Sequence, residues 1–193
     1  MVLLILTSIC AVAFIIERGR ALRWSNVIPP EIEREMEICS NSSDVETLRY
    51  HCSQKPSVFS RLLILAIDHL NLPKNENVDI MQTQARHEIV QLERGMVVLE
   101  IIVGIAPLLG LVGTIHGLIT LFGDLSKAGL GDNAAFAKGI AIALNTTLMG
   151  LLIAIPSIIA WSYYTKKIES LTVSLERLCE EFLRTQYRKK KKG

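Results

Sequence analysis

The chain has 193 residues, half of them hydrophobic, with a mean hydropathy of +0.35 and a formal net charge of +2. So large an apolar share argues against a soluble domain of this size and for a membrane protein. The small net charge says little about partners, because in a membrane protein the placement of the positive residues is what matters.

Three apolar runs stand out in chain order: Val2 to Ile16, Val97 to Phe122 and Ala134 to Tyr164. A bilayer core of about 30 Å takes about 20 helical residues, so the second and third runs can span it with some tilt. The first is short. It has no basic residue ahead of it, and Arg18, Arg20 and Arg23 follow it. That order is the reverse of a cleaved leader and predicts a helix with its N-terminus outside.

Arg86 and Arg94 lie before the second run, and Lys166, Lys167 and Lys189 to Lys192 after the third, whereas the Gly-rich connection between them is poor in positive charge. The positive-inside rule then predicts six segments. Residues 1–23 form the first transmembrane helix and its basic flank, and 24–96 a cytoplasmic helical segment. Residues 97–122 form the second transmembrane helix, 123–133 an outer hairpin, 134–164 the third, and 165–193 a cytoplasmic amphipathic helix with a basic tail. The fold class is all-α.

Within the cytoplasmic segment, helix-like composition covers Glu31 to Ile38, Val45 to Cys52, Val58 to Leu70 and Val78 to Val98, with Asn and Pro punctuation between Asn71 and Asn77. Two stripes with spacing of three and four continue the membrane helices inward: Ile89, Leu92, Met96 and Leu99, and Ile168, Leu171, Leu175, Leu178 and Phe182. They can pack within one subunit or between identical subunits. Cys39, Cys52 and Cys179 are expected as free cytoplasmic thiols, since none forms a CxxC pair.

No Asp or Glu falls deep in the second or third run; Glu17 and Glu100 sit at cytoplasmic ends. An acid relay inside this chain alone is therefore not expected. Hydroxyls and an amide are present instead: Thr114 in the second run, and Asn145, Thr146 and Thr147 in the third. Counted inward from the outer ends, Thr114 is about 12 Å and Thr147 about 16 Å deep. Pro107, Gly110, Thr114 and Gly117 share one face, and Ala143, Thr147, Gly150 and Ala154 another. Such small, weakly polar faces fit either a close helix-helix contact or a pore seam. His116 points about 200° away from Thr114 and reads as a neutral, packed histidine in an interhelical hydrogen bond.

Several motifs together carry a resemblance. They are Ile16-Glu17-Arg18 closing the first run, and Leu99-Glu100 with Ala106-Pro107-Leu108-Leu109-Gly110-Leu111-Val112-Gly113-Thr114 in the second. The third has Gly139-Ile140, Ala143-Leu144, Thr146-Thr147, Gly150-Leu151 and Ala154-Ile155-Pro156. The chain resembles the MotA/TolQ/ExbB proton-channel family, and within it the three-helix ExbB/TolQ branch rather than the four-helix MotA-like stators.

The resemblance implies a homo-oligomeric ring, pentameric in the family, in the bacterial inner membrane. Its second and third helices surround a dimer of ExbD/TolR-like single-helix partners that bring a membrane aspartate. Ion flow, H⁺ by the branch resemblance with Na⁺ left open, would then drive work on a periplasmic or outer-membrane target. Thr114 and Thr147 match pore threonines, with Asn145 and Thr146 as further polar contacts on the pathway. Pro107, Gly110, Gly113, Gly117, Gly139, Gly150 and Pro156 shape and pack the helices.

One departure stands out: Ile142 occupies a position where many members carry glutamate, which leaves a non-conducting scaffold as the alternative. No catalytic motif, cofactor, metal site or nucleic-acid partner is expected.

Overall fold

The computed structural model of the chain describes residues 2–42, 45–128 and 133–190. Among them are helices α1 (Val2–Ala21), α2 (Trp24–Val27), α3 (Pro30–Ser42), α4 (Val45–Gln54), α5 (Val58–Asp68), α6 (Lys74–Glu93), α7 (Met96–Ala128) and α8 (Asn133–Lys190), and no strand. Three stretches of helix are long and apolar enough to cross a membrane, and they lie in α1, α7 and α8. The chain is thus an all-helical, multi-pass membrane protein.

Helix runs further than hydropathy does. α7 continues past the apolar run to Ala128, and α8 begins at Asn133. Most of the hairpin expected at 123–133 is therefore helix, and residues 129–132 of that expectation lie outside the described residues. α8 does not stop at the membrane boundary either. It has 58 residues with Pro156 inside it, about 87 Å if regular. Polar residues such as Lys and Glu are good helix formers, so a change of solvent does not end a helix where no breaker stands.

The reverse holds at 94–95, where the helix expected over Val78 to Val98 is interrupted by a turn. The Arg18 guanidinium lies beside Gly95, where a Cβ would meet it. α6 also starts earlier than expected, at Lys74 after Pro73, whose φ of −55° suits a helix entry.

The chain divides into two compact units. One consists of α1 as far as Arg18 with Gly95–Tyr163; the other is Gly19–Arg94 with α8 from Tyr164 onward. The second unit is built round α5, of which Val58, Phe59, Leu62, Leu63, Ala66 and Ile67 are buried. Ser57 caps it, accepting from Ser60 N at 3.0 Å. Leu171, Leu175, Leu178, Cys179, Phe182 and Leu183 of α8 join the same core. The inner stripe of α8 is therefore filled by its own chain.

The far end of α8 is fastened by polar contacts. The Tyr187 hydroxyl donates to Leu72 O at 2.8 Å, and the fully buried Asn77 donates to Ala66 O at 3.0 Å and to the Tyr187 hydroxyl at 3.2 Å. Lys189 and Lys190, at the start of the expected basic tail, donate to Cys39 O at 3.1 Å and Leu70 O at 3.2 Å.

One ion pair in this unit joins a buried carboxylate to a half-exposed guanidinium. Glu88 is 3% exposed and accepts from Arg61 Nε at 2.8 Å, from the same guanidinium through Nη2, and from Gln84 Nε2 at 3.1 Å. Its hydrogen bond with Arg61 holds the carboxyl below its usual range, outweighing the opposing effect of burial. A carboxyl depressed in the folded state stabilises it above the ordinary value of about 4.3, and that contribution fades as pH falls through the lower folded value. Arg61→Ala is expected to destabilise this unit by about 2 kcal/mol at neutral pH, because it strands a buried charge. Denaturant titration of the full chain in detergent should show the gap, and the gap should shrink below pH 4.

Burial pushes the Cys52 thiol up to about 11 and the Cys179 thiol up to about 12. Only the thiolate attacks an electrophile. Neither cysteine should be modified by a water-soluble maleimide at pH 7.5 until denaturant is added, as mass spectrometry of the labelled chain would show.

Candidate functional site

The first unit contains the polar groups of the membrane helices. α7 and α8 cross where their small residues face one another. A Cβ at Gly110 would lie 3.0 Å from Thr146 O and Thr147 Cα, and one at Gly113 would lie 2.8 Å from Thr146 Oγ1. At Gly117 it would meet the Ala143 Cβ at 3.1 Å, and at Gly150 it would meet Ala106 O at 2.6 Å. Gly139 packs against the Leu121 side chain. Glycine at 110 and 150 lets the backbones come this close, and at 113 it leaves room for the Thr146 side chain.

The close approach brings three hydroxyls to one place. Thr114 Oγ1 is hydrogen-bonded to Thr147 Oγ1, donates to Ala143 O at 3.0 Å, and stands 3.4 Å from Thr146 Oγ1. Thr146 donates to Ala143 O at 2.7 Å, and Thr147 reaches Gly110 O at 3.3 Å. Thr114 and Thr146 each also lie 3.3 Å from Gly110 O. Three hydroxyl protons are thus offered more acceptors than they can serve at once. The set can reorganise by rotating hydroxyls without moving the backbone. All three threonines are partly buried.

The remaining candidates lie elsewhere. Ile142 is 59% exposed, and Asn145 is exposed as well, so Thr146 turns toward α7 while Asn145 does not. His116, Glu100 and Pro156 are exposed and Pro107 is partly so. The carbonyls of Gly110 and Ala143, which receive the hydroxyls, were not picked out from sequence. The small residue four places before each threonine, Gly110 before Thr114 and Ala143 before Thr147, was their signal, because it is what opens a backbone oxygen to a neighbouring helix.

Chemically, the cluster consists of neutral donors and acceptors between two membrane helices. It has no group that titrates near neutrality, and neither Ile101 to Gly123 nor Phe136 to Tyr163 contains an Asp or Glu. A hydroxyl set of this kind can solvate an ion or hydrogen-bond a carboxyl supplied from outside, but cannot itself store a proton. These features define an all-helical, multi-pass membrane protein with a hydroxyl cluster, and no acid, between two of its membrane helices.

Residues 55–177, well over half of the chain, match the MotA/TolQ/ExbB proton channel family. The chain belongs to that family, and its named relatives place it on the ExbB-like side. It is 33% identical over 157 residues to a Synechocystis sp. protein named ExbB-like 1 for biopolymer transport, covering 79% of this chain and 61% of that one. It is 32% identical over 119 residues to the Vibrio cholerae biopolymer transport protein exbB1, covering 61% and 52%. It is 32% identical over 83 residues to the Helicobacter pylori biopolymer transport protein ExbB, covering 43% and 57%. The chain thus spans about three fifths of the length of these relatives or less.

Proposed function

We propose that this chain is the ring-forming subunit of an ion-driven motor of the bacterial inner membrane, with its N-terminus periplasmic and its C-terminus cytoplasmic. It works with a dimer of ExbD/TolR-like single-helix partners whose membrane aspartate carries the ion, H⁺ in the first instance. The observation that supports this reading is the seam of Thr114, Thr146 and Thr147 at the crossing of α7 and α8, in membrane stretches without a carboxylate. A seam that can hydrogen-bond a carboxyl but holds none calls for one from another chain.

The partner and the seam have separate tasks. The aspartate would take and release the ion, and the threonine hydroxyls would bond it in each state, since a hydroxyl can donate to a carboxylate and accept from a carboxylic acid. Ile142 supports a second reading, a ring of the same fold that does not conduct, because that exposed position offers no acid to the pathway.

The test is ion flux in proteoliposomes that contain the chain and its co-purified partner under an imposed pH gradient. Flux that disappears when the partner's membrane aspartate is replaced by asparagine is the expected result. An intact, partner-loaded assembly that passes neither H⁺ nor Na⁺ would overturn the motor and leave the scaffold.

A further inference from the structure

Two polar side chains well inside the membrane helices, away from their ends, have no partner among the described residues. His116 on α7 and Asn145 on α8 are both exposed, and neither side chain makes a hydrogen bond among the described residues. An amide facing hydrocarbon with its donors and acceptor unserved is unfavourable, and polar residues at membrane depth face protein. Each of these two groups can complete the other. A neutral imidazole has one N–H and one bare nitrogen, and an asparagine amide accepts through Oδ1 and donates through Nδ2.

Their positions match as well. Across the α7–α8 contact, Gly110 stands against Thr146 and Thr147, and Gly117 against Ala143. His116 is therefore level with the neighbourhood of Ala143 and Leu144, within about 3 Å of the level of Asn145. The two helices run in opposite directions, and each Cα–Cβ bond tilts toward its own helix N-terminus. This tips the His116 side chain inward and the Asn145 side chain outward, which narrows the gap further. At about 100° per residue, His116 lies about 160° round α7 from Thr114, and Asn145 about 160° round α8 from Thr147. They occupy the outer flanks of the pair, where they cannot meet within one subunit.

We propose that His116 of one copy hydrogen-bonds Asn145 of the next. All copies share one orientation in the bilayer, so this contact joins the α7 flank of one subunit to the α8 flank of its neighbour. Such a head-to-tail contact repeats and closes into a ring, whereas a two-fold dimer would bring like residues together. The inference rests on the ring in the function proposed above and names the contact that sets its register. The bond also keeps both side chains away from the threonine seam, which leaves the seam free for the partner helix.

Disulfide cross-linking in native membranes tests this, with His116→Cys and Asn145→Cys combined in a Cys10→Ala background, oxidised by copper phenanthroline and run on a denaturing gel. The double variant should give a ladder from dimer upward, and either single variant should give none. Dimers from a single variant would overturn the pairing, since they require like residues to meet. The pairing also falls if the double variant stays monomeric while an amine-reactive cross-linker still gives a ladder. If the amine-reactive reagent gives no ladder either, it is the ring reading that fails.

Discussion

Replacing Gly150 by leucine is expected to abolish the packing of α7 against α8, with a loss of about 3 kcal/mol or more in the membrane unit. A Cβ at this position lies 2.6 Å from Ala106 O and 3.0 Å from Gly110 Cα. Both are backbone atoms of a long helix, so neither can rotate aside, and leucine adds three further carbons beyond the first. The helices must separate. In doing so they break the hydroxyl contacts that hold the crossing together, so the damage is not confined to sterics. Little lipid-driven association is available to compensate, because lipid solvates apolar side chains as well as a neighbouring helix does. Thermal unfolding of the purified chain in detergent, with recovery from the membrane fraction, measures the effect. Gly104→Ala is the control: a Cβ there meets nothing within 4 Å, so its melting should not fall. Equal behaviour of the two variants would mean that the close approach at Gly150 does not hold the pair together.

The importance of Gly150 could be anticipated from sequence; the partners it meets could not. Small residues at spacing of three and four in an apolar run announce a close helix contact, and Gly110, Gly117 and Gly150 are in it. Gly113 and Thr146 are in it too, although a helical wheel centred on Thr114 and Thr147 leaves them to one side. The angle at which two helices cross decides how wide the contact is, and no local pattern encodes that angle.

The cytoplasmic unit shows the same division. The stripe from Ile168 to Phe182 was legible as one apolar face, and it is buried. That its cover is α5 and its neighbours from the same chain depends on long-range packing. The short helix α2 and the turn at Gly95 were not legible: the contacts beside them, Asn26 Nδ2 on Arg20 O at 2.8 Å and the Arg18 side chain near Gly95, leave no local pattern in the sequence. Helix ends at 128 and 133 went unseen for a different reason. Hydropathy reports the solvent around a helix, not where the helix stops.

Thr147→Val is expected to separate stability from function. Valine keeps the shape of threonine and removes only the hydroxyl, so the contacts with Gly110 are preserved. The lost interactions are one hydroxyl pair with Thr114 and one contact with Gly110 O at 3.3 Å. Thr114 keeps its bond to Ala143 O at 3.0 Å and is not stranded. Interhelical hydrogen bonds of this kind contribute about 0.6 kcal/mol on average, so the assembly should melt within a few degrees of wild type. Flux with the partner present should nevertheless fall at least about tenfold, because removing a hydroxyl that bonds a carboxyl in transit raises the barrier by about 1.4 kcal/mol or more. Thr147→Ser, which restores the oxygen on a smaller side chain, should recover most of it. A stable valine variant that conducts like wild type would remove Thr147 from the ion pathway and reduce the threonine cluster to a packing device. A variant that loses flux and assembly together would point to the same conclusion, since the effect would then be structural.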